Sequence, residues 1–461
     1  MIDYIVQPQR TPLTGTAFLP SDKSLAHRAV ILAALARGVS HVDGRGFGDD
    51  VLSTVSVLRA LGVPIQTTHD SIIVHGRGLH GFEAPRVDLD CGNSGTTMRL
   101  MAGVLVAQHF PFRLVGDASL SRRPMGRIAT PLVQRGALLE GTPGARGELF
   151  APLFSEGRAE SLGPLQGLTF DAPVASAQVK SALLLSGLYA RGATVLTEPS
   201  LSRDHTERML RALGVPVRSE VDAGRARVTL DAVRWEGTLP SFDVRLAGDF
   251  SAAAFLVATA LVVPKSAVVL EGVGTNPTRT GMLDWLSDAR IEVESFDAAE
   301  GGLAGAEPVA TLSVGERAAS RGQGAPLSGG LLVRGIDEVP AMAAVAATLP
   351  GVTTVRDAKE LRYKESDRLR ACAKTLRAFG VRVREYDDGL EIEGTTERLL
   401  SAADIDSEGD HRIAMMATVL SLRADGPCRV RGVECIATSF PSFAETLRSL
   451  GASVQEVPSG N

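Results

Sequence analysis

Six short helices that are apolar on nearly every side limit what this chain can fold into more than any other feature of its sequence. They are SLAHRAVILAALARG from Ser24, NSGTTMRLMAGVLV from Asn93, SAQVKSALLLSGLYARG from Ser176, GDFSAAAFLVATALV from Gly248, DEVPAMAAVAATL from Asp337 and GDHRIAMMATVLSL from Gly409. A helix without a polar face must be enclosed on all sides. Each also opens on a polar cluster, so the charged groups gather at helix starts. A second series alternates with the first: DVLSTVSVLRALGV, PMGRIATPLVQRGA, DHTERMLRALGV, NPTRTGMLDWLSDARI, ESDRLRACAKTLRAFG and PSFAETLRSLGA. These are amphipathic, and five of the six end at a glycine suited to closing a helix. Within each series, successive members start about 70 to 90 residues apart. That period is too long for a solenoid and suits a small supersecondary unit.

Short β-like runs lie between the helices: SIIVHG, VDLDC, RLVGD, ATVLTEP, RVTLDAV, AVVLEGV, VTTVRD, LEIEG and CRVRGV. Each unit therefore reads as two helices with strands, repeated six times, which predicts an α/β protein. At 461 residues the chain exceeds what one core usually serves, so two domains of three units each are expected. WEGTLPSFDVRLA, near residues 235 to 247, divides the units equally. The Gly- and Ala-rich stretch from Gly301 to Gly330 reads as loop with one weak strand, an embellishment of the second half.

The polar openings are dense in cations and small donors: Lys23, Ser24 and Arg28; Asn93, Thr96 and Arg99; Ser176, Gln178 and Lys180; His411 and Arg412. Free amides at a helix start attract anions, and a neighbouring Lys or Arg strengthens that attraction. A single such residue is more often a solvated charge or an ion-pair partner, but recurrence in successive units favours a polyanion site. SRRPMGR adds Arg122, Arg123 and Arg127, with Pro124 expected in the first turn of the next helix. KELRYKESDRLR adds Lys364, Glu365 and Arg368, the last two spaced to share one helical face. The pair reads either as a surface ion pair or as an acid/base carboxylate held among cations. Asp337 and Glu338 could equally be capping and first-turn acids.

Several function classes are disfavoured. A net charge of −5 argues against a nucleic-acid binder, and the four cysteines lack the spacing of a zinc site or disulfide framework. GRGLHG at 76–81 matches a dinucleotide fingerprint by letter, yet Pro85 and a strand-like run follow where a helix is required. No Gly-Lys dipeptide occurs, so the Walker loop is missing, and no HExxH is present. His27, His205 and His411 read as supporting or proton-handling groups rather than metal ligands. The longest apolar run, Ala252 to Pro264, is too short to span a bilayer, and no basic and apolar leader opens the chain. A soluble cytoplasmic protein is expected.

LPSDKSLAHR, GNSGTTMR, RRPMGR, SAQVKSALLL, SRDHTERML, NPTRTG, IDEVPAMA, YKESDRLR and GDHRIAMM occur in one order. On these motifs, from about Gln7 to Gly451, the chain resembles the 5-enolpyruvylshikimate-3-phosphate synthases. The resemblance implies a two-domain inverted α/β barrel of the enolpyruvyl transferase type, six repeated units, three per domain, with buried helices. It implies a first domain over 21–244 and a second over 1–20 plus 245–461, with the active site in the interdomain cleft. The implied reaction moves the enolpyruvyl group of phosphoenolpyruvate onto shikimate 3-phosphate, in chorismate and aromatic amino acid biosynthesis. The implied catalytic residues are Asp337, Glu365 and Lys23. Shikimate 3-phosphate would meet Lys23, Ser24, Arg28, Ser176, Ala177, Gln178, Arg203, Asp337 and Lys364. Phosphoenolpyruvate would meet Lys23, Gly95, Arg123, Gln178, Arg368 and Arg412. No cofactor and no metal are implied, and the partners are these small molecules, with no nucleic acid, no membrane and a monomeric enzyme. Glyphosate, an inhibitor of the family, is expected to fit beside Gly95.

Two departures from the family pattern stand out. Ala177 replaces a serine that many relatives carry, and Thr438 stands where some relatives have a lysine. A sister family acts on UDP-N-acetylglucosamine and typically carries a reactive cysteine before its Arg-Pro. The corresponding GDASLSRRP has none, and SDKS and DHR favour the shikimate enzyme. A noncatalytic anion binder would explain the arginines but not Asp337 and Glu365.

Overall fold

The computed structural model describes residues 1–145, 147–297, 303–396 and 399–460. Two compact units divide the chain: Lys23–Leu246 with Gly301–Glu307, and Met1–Asp22 with Ala247–Glu300 and Pro308–Asn461. The six apolar segments form the helices Lys23–Leu35, Gly95–Leu105, Ala177–Gly187, Phe250–Val262, Val339–Ala346 and His411–Ser421. Every residue of Phe250–Val262, Val339–Ala346 and His411–Ser421 is buried. Small side chains let these helices approach closely. A Cβ on Gly103 would stand 2.4 Å from the carbonyl oxygen of Ala182, so only hydrogen fits where Gly95–Leu105 meets Ala177–Gly187.

The amphipathic series forms Asp49–Ala60, Gly126–Gln134, His205–Ala212, Gly281–Asp288, Arg368–Ala378 and Phe443–Ser449. Five are followed by Gly62, Gly136, Gly214, Gly380 and Gly451, all with φ between 77° and 102°. The sixth ends at Arg290 with φ 59°, a left-handed conformation that costs a non-glycine residue roughly 1 kcal/mol. Its sequence lacks the glycine, but its geometry keeps the same turn.

Each unit contains three sheets among the described residues. Four buried helices connect parallel partners, as a crossover requires. Leu89–Asp90 pairs with Phe112–Val115 around Gly95–Leu105, and Leu165–Asp171 with Ala190–Glu198 around Ala177–Gly187. Asp404–Asp406 pairs with Cys428–Arg431 around His411–Ser421, and a parallel bridge joins Leu327 to Val355 around Val339–Ala346. The other two helices exchange partners. Thr14–Phe18, which precedes Lys23–Leu35, runs parallel to Ala267–Gly274, and Asp243–Arg245, which precedes Phe250–Val262, runs parallel to Ala36–Asp43. That exchange is why the chain begins in one unit, completes the other and then returns.

Three expectations need amendment. Gly301 and Gly302, at the start of the Gly/Ala-rich stretch, lie outside the described residues. Beyond them the expected strand Val309–Val314 is no appendage: it lies between Glu294–Asp297 and Ala267–Gly274, with alternate residues buried. A seven-residue helix, Gly329–Gly335, also forms there. Pro124 precedes its helix, which starts at Gly126, instead of sitting in the first turn.

Arg135, fully buried, joins these layers without a carboxylate among its hydrogen-bond partners. It donates to the Gln166 carbonyl (3.3 Å), the Leu183 carbonyl (2.9 Å), Ser186 Oγ (2.5 Å) and Thr194 Oγ1 (2.6 Å). Burial lowers its pKa to about 10. Replacing it with methionine orphans several buried acceptors at once. Chemical denaturation of Arg135→Met is expected to show a loss of about 2–5 kcal/mol relative to the parent.

Candidate active site

In the unit containing Lys23–Leu246, three buried helices begin at Lys23, Gly95 and Ala177. Ser94 and Ser176 cap the latter two, accepting from the amides of Thr97 and Val179. The remaining first-turn amides and the helix dipoles make these ends attractive to anions. Lys23 Nζ lies 2.8 Å from Asp50 Oδ2, with both side chains partly accessible. Arg28 is buried and held on three sides, donating to Thr206 Oγ1 (2.7 Å), Ser181 Oγ (2.8 Å) and the Ser24 carbonyl (2.8 Å). Arg123 donates to Asn93 Oδ1 (2.5 Å), while Asn93 Nδ2 donates to Asp117 (2.7 Å). Gln178 accepts from Arg99 (2.7 Å) and donates to Thr96 (3.0 Å), linking the starts of two helices. A Cβ on Gly95 would stand 2.7 Å from Arg99 Nη1 and 3.3 Å from Arg123 Nη1, so the absent side chain gives both guanidiniums room. Arg203 lies half-buried just before His205–Ala212.

Behind these groups runs a buried chain of neutral hydrogen bonds. His27 Nδ1 is 2.7 Å from Thr54 Oγ1, Thr54 Oγ1 is 2.7 Å from Thr97 Oγ1, and Thr97 donates to Ser94 Oγ (2.8 Å). It ties Lys23–Leu35 through Asp49–Ala60 to the cap of Gly95–Leu105. Burial, reinforced by the charges of Lys23 and Arg28, pushes the His27 pKa well below the ordinary histidine value.

The other unit holds a denser charge cluster. Asp337 Oδ1 lies 3.2 Å from Lys364 Nζ and 3.3 Å from Arg368 Nη1, and Asp337 Oδ2 lies 3.9 Å from Arg412 Nη2. Arg412 also donates to the Asp337 carbonyl. Arg368 is fully buried and touches three carboxylates: Asp337, Glu365 and, through Nε at 2.8 Å, Asp410. Burial opposes its charge, but Asp410, Glu365 and Asp337 outweigh that and hold its pKa above the ordinary arginine value. Asp410 in turn caps His411–Ser421 by accepting from the Arg412 amide (3.0 Å). Burial would raise its pKa, yet the attraction of Arg368 keeps it below the usual carboxylate value. Ser251 donates to Glu338, and Arg279 binds Asp22, Asp249 and Ser251.

The residues expected from the sequence thus lie in two clusters. Lys23, Ser24, Arg28, Gly95, Arg123, Ser176, Ala177, Gln178 and Arg203 lie in one unit; Asp337, Lys364, Glu365, Arg368 and Arg412 lie in the other. The Glu365–Arg368 pair forms, but not on a shared helical face. Asp367 caps the helix by accepting from the Arg370 amide, so the helix starts at Arg368 and Glu365 precedes it. Lys180 is a supporting residue: completely buried, it lies 3.2 Å from Glu198 and 2.9 Å from Glu207. Asp337 and Glu338 make no side-chain cap; they face cations instead. Thr438 donates to the Cys435 carbonyl (2.8 Å). Sequence reasoning passed over Asp50, Thr54, Thr97, Ser251, Arg279 and Asp410. Thr97, Asp410 and Arg279 fell within recognised motifs, GNSGTTMR, GDHR and NPTRTG, and none of these motifs shows which group would face them.

The model of the EPSP synthase (3-phosphoshikimate 1-carboxyvinyltransferase) family matches residues 7–447. The chain is 45% identical to a 3-phosphoshikimate 1-carboxyvinyltransferase of Geobacter sulfurreducens, over 97% of this chain and 99% of that one. A protein of the same name from Pelotomaculum thermopropionicum is 46% identical over 94% of this chain and 96% of its own length. Among solved structures, EPSP synthase from Acinetobacter baumannii superimposes with a TM-score of 0.82 at 37% identity, covering 99% of this chain and 100% of that one.

The buried neutral His27 makes stability acid-sensitive. A base whose folded pKa lies below its unfolded value of about 6.5 contributes stability above that pH and loses it as pH falls. As pH falls below about 6.5, unfolding free energy is expected to drop by up to ~1.4 kcal/mol per pH unit more in the parent than in His27→Gln. Urea titrations at several pH values measure the difference.

Proposed function

The chain belongs to the EPSP synthase family, and from that membership we propose how its residues carry out the family's reaction. It transfers the enolpyruvyl group of phosphoenolpyruvate to the 5-hydroxyl of shikimate 3-phosphate and releases phosphate, in aromatic amino acid biosynthesis. The assignment of catalytic residues rests on one observation: Arg368 contacts both Asp337 and Glu365, so the two candidate proton carriers share one cationic anchor.

The 5-hydroxyl oxygen bonds to C2 of phosphoenolpyruvate and gives its proton to Asp337, while C3 gains a proton from Glu365. The C2 centre is then tetrahedral and still carries phosphate. Loss of phosphate from C2 and of a proton from C3 back to Glu365 regenerates the double bond. Lys23 acts as a proton partner on the phosphate side. Arg123, Arg368 and Arg412 hold the phosphoenolpyruvate carboxylate and phosphate, where paired N–H donors match planar or tetrahedral oxyanions. Gly95 and Gln178 complete that set. The 3-phosphate is held by Ser176, the Ala177 amide and Arg203. Lys23, Ser24, Arg28, Gln178, Asp337 and Lys364 take the rest of shikimate 3-phosphate.

Arg368 already satisfies three carboxylates, so a substrate anion at its Nη2 displaces Glu365 and frees that acid for C3. The chain is organised as 21–244 and 1–20 plus 245–461. The enzyme works as a cytoplasmic monomer on these small molecules, without nucleic acid or membrane. No helix of the described residues is long and apolar enough to cross a membrane.

Phosphate release is expected with phosphoenolpyruvate and shikimate 3-phosphate; release only with UDP-N-acetylglucosamine would transfer the chain to the sister reaction. Asp337→Asn and Glu365→Gln are each expected to reduce kcat by about 10²–10⁴-fold while calorimetry still detects both substrates. Parent-like turnover in either variant refutes that residue's role. Glyphosate is expected to compete with phosphoenolpyruvate. In Gly95→Ala, whose Cβ would meet Arg99 and Arg123, its inhibition constant should rise ~10-fold or more. Unchanged inhibition would count against the steric argument.

A further inference from the structure

A buried ionic cluster lies beneath the groups assigned to the 3-phosphate. Glu198, almost inaccessible, ends the strand Ala190–Glu198 and faces two separate segments. Its Oε1 accepts from the Ser176 amide (2.8 Å) and from Ser202 Oγ (2.9 Å). Its Oε2 accepts from Ser202 Oγ (2.8 Å) and, more weakly, from the Ser202 amide (3.4 Å). Ser176 is the cap of Ala177–Gly187, and Ser202 immediately precedes Arg203. One carboxylate therefore anchors the backbone on both sides of the phosphate contacts.

Lys180 closes the cluster from within the same helix. Its Nζ donates to the Ser202 carbonyl (2.9 Å) and lies 3.2 Å from Glu198 and 2.9 Å from Glu207. Burial opposes the Lys180 charge, but Glu207 and Glu198 outweigh it and raise its pKa. Burial raises the Glu207 pKa, and Lys180 offsets this only in part. An ionic cluster this deep gains little stability over an apolar replacement, because desolvating the charges costs about as much as their attraction returns. Its distinctive property is directional: it fixes Ser176 and Ser202 relative to one another.

We propose that Glu198, with Lys180 as its counter-ion, is a positioning residue for the shikimate 3-phosphate end of the site. It touches no substrate; it sets the spacing between the Ser176–Ala177 helix start and Arg203. This rests on the assignment of Ser176 and Arg203 to the 3-phosphate made above. Phosphoenolpyruvate meets this helix start only through Gln178, and its other assigned contacts come from other segments, so it depends on the corner less than shikimate 3-phosphate does.

The test is steady-state phosphate release by the full chain, varying each substrate separately. Glu198→Gln retains the side-chain shape but removes the charge and presents an amide N–H₂ to Ser202 or Lys180. The expected result is a rise of ~10-fold or more in KM for shikimate 3-phosphate, with kcat and KM for phosphoenolpyruvate within about threefold of the parent. If the single variant does not fold, Lys180→Met/Glu198→Gln/Glu207→Gln removes the cation with both of its anions and is expected to show the same split. A shikimate 3-phosphate KM within about twofold of the parent overturns the proposal, as does equal deterioration of all three parameters. A parent protein that releases no phosphate with shikimate 3-phosphate refutes the assigned reaction instead, so the two failures are distinct.

Discussion

Enclosing a helix on every side leaves its N-terminal amides and its C-terminal carbonyls as the parts of its backbone that must find partners elsewhere. The six helices of this chain are packed by Ala, Val, Leu and Gly along their lengths, and their charged residues are confined to the first two turns and the residues just before them, with only hydroxyls such as Ser186, Thr259 and Thr418 deeper inside. Serine and aspartate caps satisfy some amides, as Ser94, Ser176, Asp249 and Asp410 do. The rest, with the helix dipoles, favour anions. Burial of the helices and the affinity of their starts for anions are thus consequences of one arrangement, even in a chain of net charge −5.

The cations around these helix starts are held in different ways in the two units. Arg28 donates to hydroxyl and carbonyl oxygens and Arg123 to an amide and a hydroxyl oxygen, contacts that orient each guanidinium. Arg368 and Arg412 instead face the carboxylates of Asp337, Glu338, Glu365 and Asp410. In the unit that holds Arg28 and Arg123, the neutral chain His27–Thr54–Thr97 and the ionic pair Lys180–Glu198 hold the caps Ser94 and Ser176.

Much of this was legible in the sequence because it is local. A period of 3.6 residues with no polar face marks a buried helix wherever it occurs, and all six such segments are buried helices. The terminal glycines forecast five helix ends by their tolerance of positive φ, whereas Arg290 shows the same turn made without that letter. Strands were harder. The two-residue pairing at Leu89–Asp90 and the interior place of Val309–Val314 depend on partners far away in sequence, and a short alternating run does not name its partner.

The sequence by itself determined the repeat, the family and the density of cations at helix starts, since these follow from short local patterns and from the order in which they recur along the chain. Only the tertiary structure decided which cations are partnered and by what. Lys180 and Arg123 look alike as letters in a motif, yet one is enclosed between two glutamates and the other rests on an asparagine. Likewise the exchange of Thr14–Phe18 and Asp243–Arg245 between the units is written in no local pattern. Electrostatic energy depends on distance and on exclusion of water, and both are set by residues brought together from separate turns of the chain.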